Sequence, residues 1–414
     1  MLEYIMAVFS LKVLLVIGVL VGFAAFYARP VYPKEVSNRG LKTIVNFTFK
    51  FIGAMSAMSG YLGFSPLNTT RAMMNAMKAM DVKSPKVERH MTTMDGVEVI
   101  IFKPAGQTEG LRPGIIHIHG GGWVLMTAEL YGKFTEAVVE ETGSIIASVN
   151  YRLAPEYVYP IPLEDCLTAA RYFLRHAKEY GVDENLIGIK GDSAGGNLAM
   201  AVALKLSKEK DLPGLKFMSL DYPALQAFDF KLPCYKKHEN GPGLLTKQAM
   251  VSYWLLYAFG NLDNYDIFYN NKHLTTELQN SVYRSYIDKT FIPTSIAGID
   301  HDITEETAGG KDNANVQIPQ EMIKIITDPL YAPLMASDED LSVLPTAYIF
   351  NVEFDVLRDD GLIVAERLKR AGVKVTTRFM SFEEHGYLNF VSQDKSVRQE
   401  IIRFAKFFNE TLNL

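Results

Sequence analysis

From about residue 87 onward, short apolar runs alternate with amphipathic segments, a rhythm that predicts the strands and helices of an α/β sheet. The predicted strands are 97–102, 114–119, 144–150, 186–189, 217–220, 346–350 and 374–380. The predicted helices are 129–141, 163–180, 196–206, 361–371 and 396–410. We therefore predict an α/β fold with a mostly parallel central sheet and helices on both faces.

Residues 224–342 interrupt this alternation. They contain an amphipathic helix pattern at 248–259 and a polar, glycine-containing stretch at 309–317 that predicts a loop. An insertion of this length between two strands is typical of a helical cap over the carboxyl ends of the strands, where open α/β sheets place their sites. The predicted division is an N-terminal anchor (1–30), the N-terminal part of the cap (31–86), the core (87–223 and 343–414) and the cap insertion (224–342).

The N-terminus carries a long apolar run. Residues 13–28 contain no charged side chain, and with the flank before them they reach the ~20 residues needed to cross a bilayer. A cleaved signal peptide with its site at 22–24 is the alternative. Because the run is longer than a typical apolar region of about 7–15 residues in signal peptides, we expect an uncleaved transmembrane helix.

Two features of the sequence around this segment favour opposite orientations in the membrane. Lys and Arg are more frequent after it than before it, which favours a cytosolic C-terminal domain. Three N-x-[ST] glycosylation acceptors, at Asn46, Asn68 and Asn409, favour a lumenal domain. The residues alone leave the orientation open.

Composition excludes some partners and leaves others open. The formal net charge of −5, without a basic block, gives no reason to expect nucleic acid. Cys166 and Cys234 form no metal-binding pattern and at most one disulfide, so their pairing and the redox compartment stay open. Residues 41–80, rich in Phe and Met, predict either helices packed on the main body or an apolar contact with substrate or bilayer.

The central chemical motif is Gly191-Asp192-Ser193-Ala194-Gly195, which follows a predicted strand and opens onto a predicted helix. In such a strand–turn–helix a serine at the apex projects from the sheet, and the flanking glycines leave room for a strained backbone. The first free N–H groups of the new helix also point at whatever the serine attacks. The motif therefore predicts a nucleophilic Ser193.

A second motif, His119-Gly120-Gly121-Gly122, ends a predicted strand. Consecutive glycines let the backbone approach a ligand and present its N–H groups. We predict that the amides of Gly121, Gly122 and Ala194 form an oxyanion hole and that His119 shapes the loop. The alternative, a phosphate-binding loop, lacks the Lys and Ser/Thr of a P-loop.

A serine nucleophile needs an imidazole that takes its proton and a carboxylate that orients the imidazole. Asp355 is the first aspartate after a late strand, and His385 is the histidine in the loop after the next one. The chain order Ser193, Asp355, His385 is that of an α/β-hydrolase. Asp359 and Asp360 are expected to cap the helix that follows.

These motifs together resemble the hormone-sensitive-lipase branch of the α/β-hydrolases, including its arylacetamide deacetylase and neutral cholesterol ester hydrolase members. The resemblance rests on residues 119–123, 151–156, 191–197, 355–361 and 385–386, and it extends over nearly the whole chain. Val356 stands where many members of the branch have proline. The resemblance implies a single-pass signal anchor and a catalytic domain in the lumen of the endoplasmic reticulum.

The expected function is that of a membrane-anchored serine hydrolase that cleaves carboxylic esters of lipophilic compounds through an acyl-enzyme. It needs no metal and no organic cofactor. An amidase or deacetylase acting on acetylated arylamines is the first alternative, since the catalytic groups are the same. A non-catalytic receptor for lipophilic ligands is the second.

Overall fold

The computed structural model describes residues 32–80, 82–106, 110–239, 241–297 and 318–414. The chain forms two compact units, residues 1–73 and 74–414. The predicted anchor at 1–30 and the predicted loop at 309–317 lie outside the described residues. Within the ranges that are described, no helix is both long and apolar enough to span a bilayer.

In the first unit, the described residues contain helix α1 (Arg39–Tyr61) and the beginning of helix α2 (Pro66–Ala76). A short turn joins the two helices, and hydroxyl groups fasten them together. Ser56 donates to the carbonyl of Pro66 at 2.6 Å, Thr70 donates to the Ser56 hydroxyl at 2.9 Å, and Thr69 donates to the hydroxyl of Ser59 at 2.8 Å.

The second unit is organised around an eight-stranded sheet. Its strands lie in the order β1-β2-β4-β3-β5-β6-β7-β8. The pairs β1–β2 and β2–β4 are antiparallel and the other neighbours are parallel, which confirms the mostly parallel sheet. The strands are β1 (Val87–Met94), β2 (Val97–Pro104), β3 (Arg112–Ile118), β4 (Ile145–Val149), β5 (Val182–Asp192), β6 (Phe217–Asp221), β7 (Thr346–Phe354) and β8 (Val375–Glu384).

Helices cover both faces of the sheet. Because successive strand residues point to opposite sides, neighbouring residues of one strand belong to different apolar clusters. In β3, Ile116 belongs to the cluster that packs on helices α4 (Ile161–Arg175), α5 (Ala194–Leu206) and α14 (Arg358–Arg370). Its neighbour Ile115 belongs to the cluster that packs on α3 (Gly132–Thr142) and α15 (Lys395–Leu412). The predicted layering of helices on both faces is confirmed.

The segment between β6 and β7 is a series of short helices around one longer one, α7 (Lys247–Phe259), which matches the helix predicted at 248–259. The others are α6 (Pro233–Lys237), α8 (Tyr265–Tyr269), α9 (Thr276–Gln279), α10 (Val282–Tyr286), α11 (Thr294–Ala297), α12 (Gln320–Ile326) and α13 (Asp338–Ser342). Trp254 of α7 packs against Trp123, with ring centroids 4.5 Å apart, just beyond the end of β3. This part of the insertion thus lies at the carboxyl edge of the sheet.

The structure adds one strand to those predicted and settles a point that the sequence leaves open. Strand β1 is absent from the predicted strands, because its apolar residues are few and most of its side chains are not buried. As an edge strand it is held by pairing with β2. Cys166 and Cys234, whose pairing the sequence leaves open, are both free and buried.

His273 in the insertion gives a testable pH dependence. Its Nε2 lies 2.8 Å from the carbonyl of Phe228, its ring stacks on Phe268 at 4.3 Å, and burial lowers its pKa to about 4. The unfolded chain binds a proton near pH 6.5 that the folded chain excludes, so stability is lost as the pH falls from about 6.5 to about 4.

The amide of His273→Gln can still donate to Phe228 but does not titrate. We expect this variant to reduce the slope of the free energy of unfolding against pH by up to about 1.4 kcal/mol per pH unit. Urea unfolding between pH 7 and pH 4.5 measures the slope. His90→Gln, at an exposed position of β1, is the matched control for a histidine-to-glutamine change. Parallel curves for the parent and His273→Gln would show that His273 binds its proton equally well in the folded and the unfolded protein.

Candidate active site

Ser193 occupies the sharp turn between β5 and α5. Its backbone has φ 54° and ψ −123°, a conformation that is strained for a residue with a Cβ. Its N–H donates to the carbonyl of Asp221 at 2.9 Å, and its own carbonyl accepts from the N–H of Asn197 at 3.1 Å. These two bonds tie the turn to the end of β6 and to the first turn of α5, which holds the strained conformation.

The two glycines of the motif are required by close backbone contacts. A Cβ on Gly195 would lie 2.1 Å from the carbonyl oxygen of Ile118 at the end of β3. A Cβ on Gly191 would lie 2.2 Å from the carbonyl oxygen of Gly195 itself. Backbone atoms cannot move aside as a flexible side chain can, so the turn closes only with glycine at both positions.

Three side chains that are far apart in the sequence meet at this turn. The Oγ of Ser193 lies 2.8 Å from Nε2 of His385, and Nδ1 of His385 lies 2.8 Å from Oδ2 of Asp355. The other oxygen of Asp355 accepts from the N–H of Leu357 at 2.8 Å. Asp355 is fully buried, and Ser193 and His385 are 6% and 8% exposed. The structure thus brings together the three residues proposed from the sequence.

Each of the three is supplied by the carboxyl end of a strand. Ser193 follows β5, Asp355 follows β7 and His385 follows β8. Gly386, at φ 78°, turns the chain directly after His385, and the ring of Tyr222 packs against the imidazole with the centroids 4.7 Å apart.

The glycine loop lies beside Ser193 because β3 and β5 are parallel neighbours, with Ile118 paired to Gly191. Gly121 and Gly122 have φ values of 111° and 63°, and the carbonyl of Gly121 accepts from the N–H of Leu125 at 2.8 Å. A Cβ on Gly122 would lie 2.5 Å from the ring of Tyr253, which packs over the loop from α7.

Asp192 fixes the start of this loop. Its carboxylate accepts from the N–H of Gly120 at 2.9 Å and from the hydroxyl of Tyr131 at 2.8 Å. Burial raises the pKa of Asp192 to about 6, an effect that the Tyr131 hydrogen bond opposes. The sequence pattern predicts no role for Asp192, although it directly precedes Ser193. An aspartate at the end of a predicted buried strand needs hydrogen-bond donors, and this requirement could have indicated a structural role for Asp192.

His119 supports the same loop. Its Nδ1 lies 2.8 Å from the carbonyl of Gly120, and its ring stacks on Tyr151 at 4.3 Å. The hydroxyl of Tyr151 donates to the backbone carbonyl of His119 at 2.8 Å. Burial lowers the pKa of His119 to about 4, so the ring is neutral at pH 7 and can donate from Nδ1. These are the contacts of a residue that shapes the loop.

Asp359 and Asp360 do not cap α14, so that prediction was wrong. The helix begins at Arg358, which places both residues inside its first turn. Asp359 accepts from the N–H of Cys234 at 2.8 Å, and Asp360 accepts from the N–H of Leu225 at 2.9 Å. Their carboxylates therefore fasten the segment after β6 to the base of α14, and burial raises the pKa of Asp360.

No group of three or more His, Cys, Asp or Glu side chains that could hold a metal ion occurs among the described residues. The chemistry that this arrangement supports is proton transfer from a serine hydroxyl to an imidazole, next to a loop that is rich in backbone N–H groups.

Comparisons with known proteins agree with this geometry. Residues 115–303 and 317–389 match the family model of the α/β hydrolase fold. The chain is 35% identical to neutral cholesterol ester hydrolase 1 of Bos taurus over 383 residues, 90% of this chain and 92% of the relative. It is 33% identical to arylacetamide deacetylase of Oryctolagus cuniculus, over 91% and 93% of the two chains.

Among solved structures, a thermostable esterase from Pseudomonas putida superimposes with a TM-score of 0.64 at 26% identity, over 88% of this chain and 98% of the esterase. The fold, the residues at the turn after β5 and these matches lead to one conclusion: the chain belongs to the α/β hydrolase fold family, in the branch that contains neutral cholesterol ester hydrolase and arylacetamide deacetylase.

Proposed function

We propose that this chain is a serine hydrolase that cleaves carboxylic esters of lipophilic compounds through an acyl-enzyme. The observation that carries the proposal is the continuous hydrogen-bond chain from the Ser193 hydroxyl through His385 to Asp355, with both distances at 2.8 Å. The family, the esterase structure and the two named relatives make it a carboxylic ester hydrolase. The lipophilic substrate class is supported by the cholesterol ester named for one relative and the arylacetamide named for the other.

The proposed reaction uses these three side chains and the glycine loop beside them. Ser193 Oγ attacks the ester carbonyl while Nε2 of His385 takes its proton, and Asp355 holds the imidazole through Nδ1 and stabilises its cationic form. The N–H groups of Gly121, Gly122 and Ala194 bind the oxyanion of the tetrahedral intermediate. His385 then protonates the leaving alcohol, and water repeats the sequence on the acyl-enzyme.

The supporting residues make this geometry available before substrate binds. Asp192 ties Gly120 to the strand end that carries Ser193, so the oxyanion donors and the nucleophile share one rigid support. Donors that are already oriented need no reorganisation when charge develops, which is why such sites contribute several kcal/mol of transition-state stabilisation.

Amide hydrolysis is the second candidate, favoured by the likeness to arylacetamide deacetylase. The same three residues would act on an acetylated arylamine, with His385 protonating the leaving amine. A receptor without catalysis is disfavoured, because it would not need the hydrogen-bonded serine, imidazole and carboxylate.

We also propose that residues 1–30 anchor the protein in the membrane of the endoplasmic reticulum, with the C-terminal part in the lumen. The apolar run at 13–28 and the N-x-[ST] acceptors support this. Of the three acceptors, the side chain of Asn68 is exposed, Asn409 is half-buried and Asn46 is buried. Asn68 is therefore the best-placed acceptor for a glycan.

We expect Ser193→Ala to lower kcat on the order of 10⁵-fold, because the variant has no nucleophile to activate. The assay uses a short acyl ester, a long-chain lipid ester and an acetylated arylamine, and circular dichroism checks the fold. The parent's ratio of kcat/KM for esters to that for the arylamine decides between the two candidate functions. Substantial turnover of the esters by Ser193→Ala would remove Ser193 from its role.

We expect Asp355→Asn to lower kcat about 10⁴-fold, because an amide cannot stabilise the imidazolium or fix the same tautomer. The matched control is Glu353→Gln, two residues earlier, whose carboxylate accepts from the N–H of Phe382 and not from His385. The control should keep kcat within about threefold, as expected of a surface change away from the site. Equal losses in the two variants would contradict the assignment.

If the C-terminal part is lumenal, the protein expressed in mammalian cells carries a glycan at Asn68. Endoglycosidase treatment should then increase its gel mobility, and Asn68→Gln should abolish or reduce that shift. Asn46→Gln, at a buried acceptor, is the comparison and should leave the shift unchanged. A parent protein that is insensitive to endoglycosidase would overturn the lumenal orientation.

A further inference from the structure

Helix α1 has its polar and apolar sides reversed relative to a helix of a water-soluble domain. Ile44, Phe51 and Met58 recur every seven residues and so lie on one face, and Leu62 continues that face beyond the last turn. These four residues, here called the apolar stripe, are 65%, 50%, 50% and 69% exposed. The buried residues of the helix, Lys42, Asn46, Ile52 and Ser56, are mostly polar.

An apolar stripe on a helix normally faces a protein core, and a contiguous exposed one marks an interaction surface. Phe64, in the turn after α1, is also 67% exposed. The described helices, α1 among them, include none that is long and apolar enough to cross a bilayer. A helix that exposes an apolar face without qualifying as a span has the pattern of one that lies in a membrane interface.

Two features of the chain favour lipid as the occupant. The run at 13–28 ends ten residues before α1, and ten residues reach at most about 36 Å, so α1 begins near the bilayer if that run crosses it. The chain segment that contains α1 is also strongly basic, although the whole chain is acidic. Residues 29–73 contain one acidic residue, Glu35, and six basic ones, of which Lys42 is buried: Arg29, Lys34, Arg39, Lys42, Lys50 and Arg71. Basic residues in the same segment as an apolar face favour an anionic lipid surface.

We propose that the apolar stripe of α1 lies in the interface of an anionic bilayer, as a membrane contact additional to the N-terminal anchor. This membrane contact does not depend on the chemistry of Ser193. Membrane attachment would then involve two elements, one that crosses the bilayer and one that lies on it, and the second would fix the rotation of α1 about its axis relative to the membrane surface.

The test uses full-length protein in vesicles of phosphatidylcholine and phosphatidylserine, with a nitroxide spin label at a single introduced cysteine. Cys166 and Cys234 are buried and so are shielded from the label. Met58→Cys places the label on the stripe. Gly53→Cys places it nearly opposite, at an exposed position where an added Cβ meets no atom within 4 Å.

We expect the label at position 58 to collide more often with oxygen, which dissolves in lipid, than with a water-soluble nickel chelate. The label at position 53 should show the reverse preference. Adding Ile44→Ser and Phe51→Ser should shift the label at 58 towards the accessibility of position 53, while circular dichroism stays unchanged.

Three results would overturn the proposal. Protein that does not float with the vesicles would exclude both the anchor and the stripe. Protein that floats, with both labels preferring the nickel chelate, would leave the anchor in place and exclude the stripe. Concentration-dependent dipolar broadening at position 58 without lipid would identify a second copy of the chain as the occupant.

Discussion

The position of Ser193 depends on the contact between the turn after β5 and the end of β3. The two backbones approach so closely that a Cβ on Gly195 would lie 2.1 Å from the carbonyl oxygen of Ile118. Parallel pairing of β3 with β5 sets this approach, and Asp192 reinforces it by accepting from the N–H of Gly120. Ser193 and the glycine loop therefore cannot move independently.

The rest of the site follows from the order of the strands. Beyond β5 come β6, β7 and β8, and in a parallel sheet their carboxyl ends lie along one edge. Asp355 and His385 thus reach Ser193 from neighbouring strand ends although about 160 and 190 residues separate them from it in the chain. Burying a carboxylate is unfavourable unless it is hydrogen-bonded, and Asp355 meets this requirement through His385 and the N–H of Leu357.

Much of the sheet and all three members of the Ser193–His385–Asp355 chain could be predicted from the sequence, because each depends on local patterns. Continuous apolar runs identify strands buried on both faces, and strand ends identify where functional side chains lie. Strand β1 escaped prediction because an edge strand buries little apolar surface. Its hydrogen bonds to β2, and not an apolar pattern of its own, make it a strand.

The roles of Asp192, Asp359 and Asp360 escaped prediction for a related reason. Each carboxylate accepts from the N–H group of a residue more than 70 positions away: Gly120, Cys234 and Leu225, respectively. Local rules assign an acidic residue near a helix start to capping. Tertiary contacts replace capping at Asp359 and Asp360, and nothing in the local pattern of these two residues distinguishes the two roles.

We infer that Ser193, the glycine loop and His385 form one preassembled site. A crystal structure of the protein after reaction with a fluorophosphonate ester would test this arrangement. We expect a phosphorus–oxygen bond to Ser193 Oγ, with the phosphonyl oxygen within hydrogen-bond distance of the N–H groups of Gly121, Gly122 and Ala194. An adduct on another residue, or a phosphonyl oxygen directed away from these three groups, would contradict it.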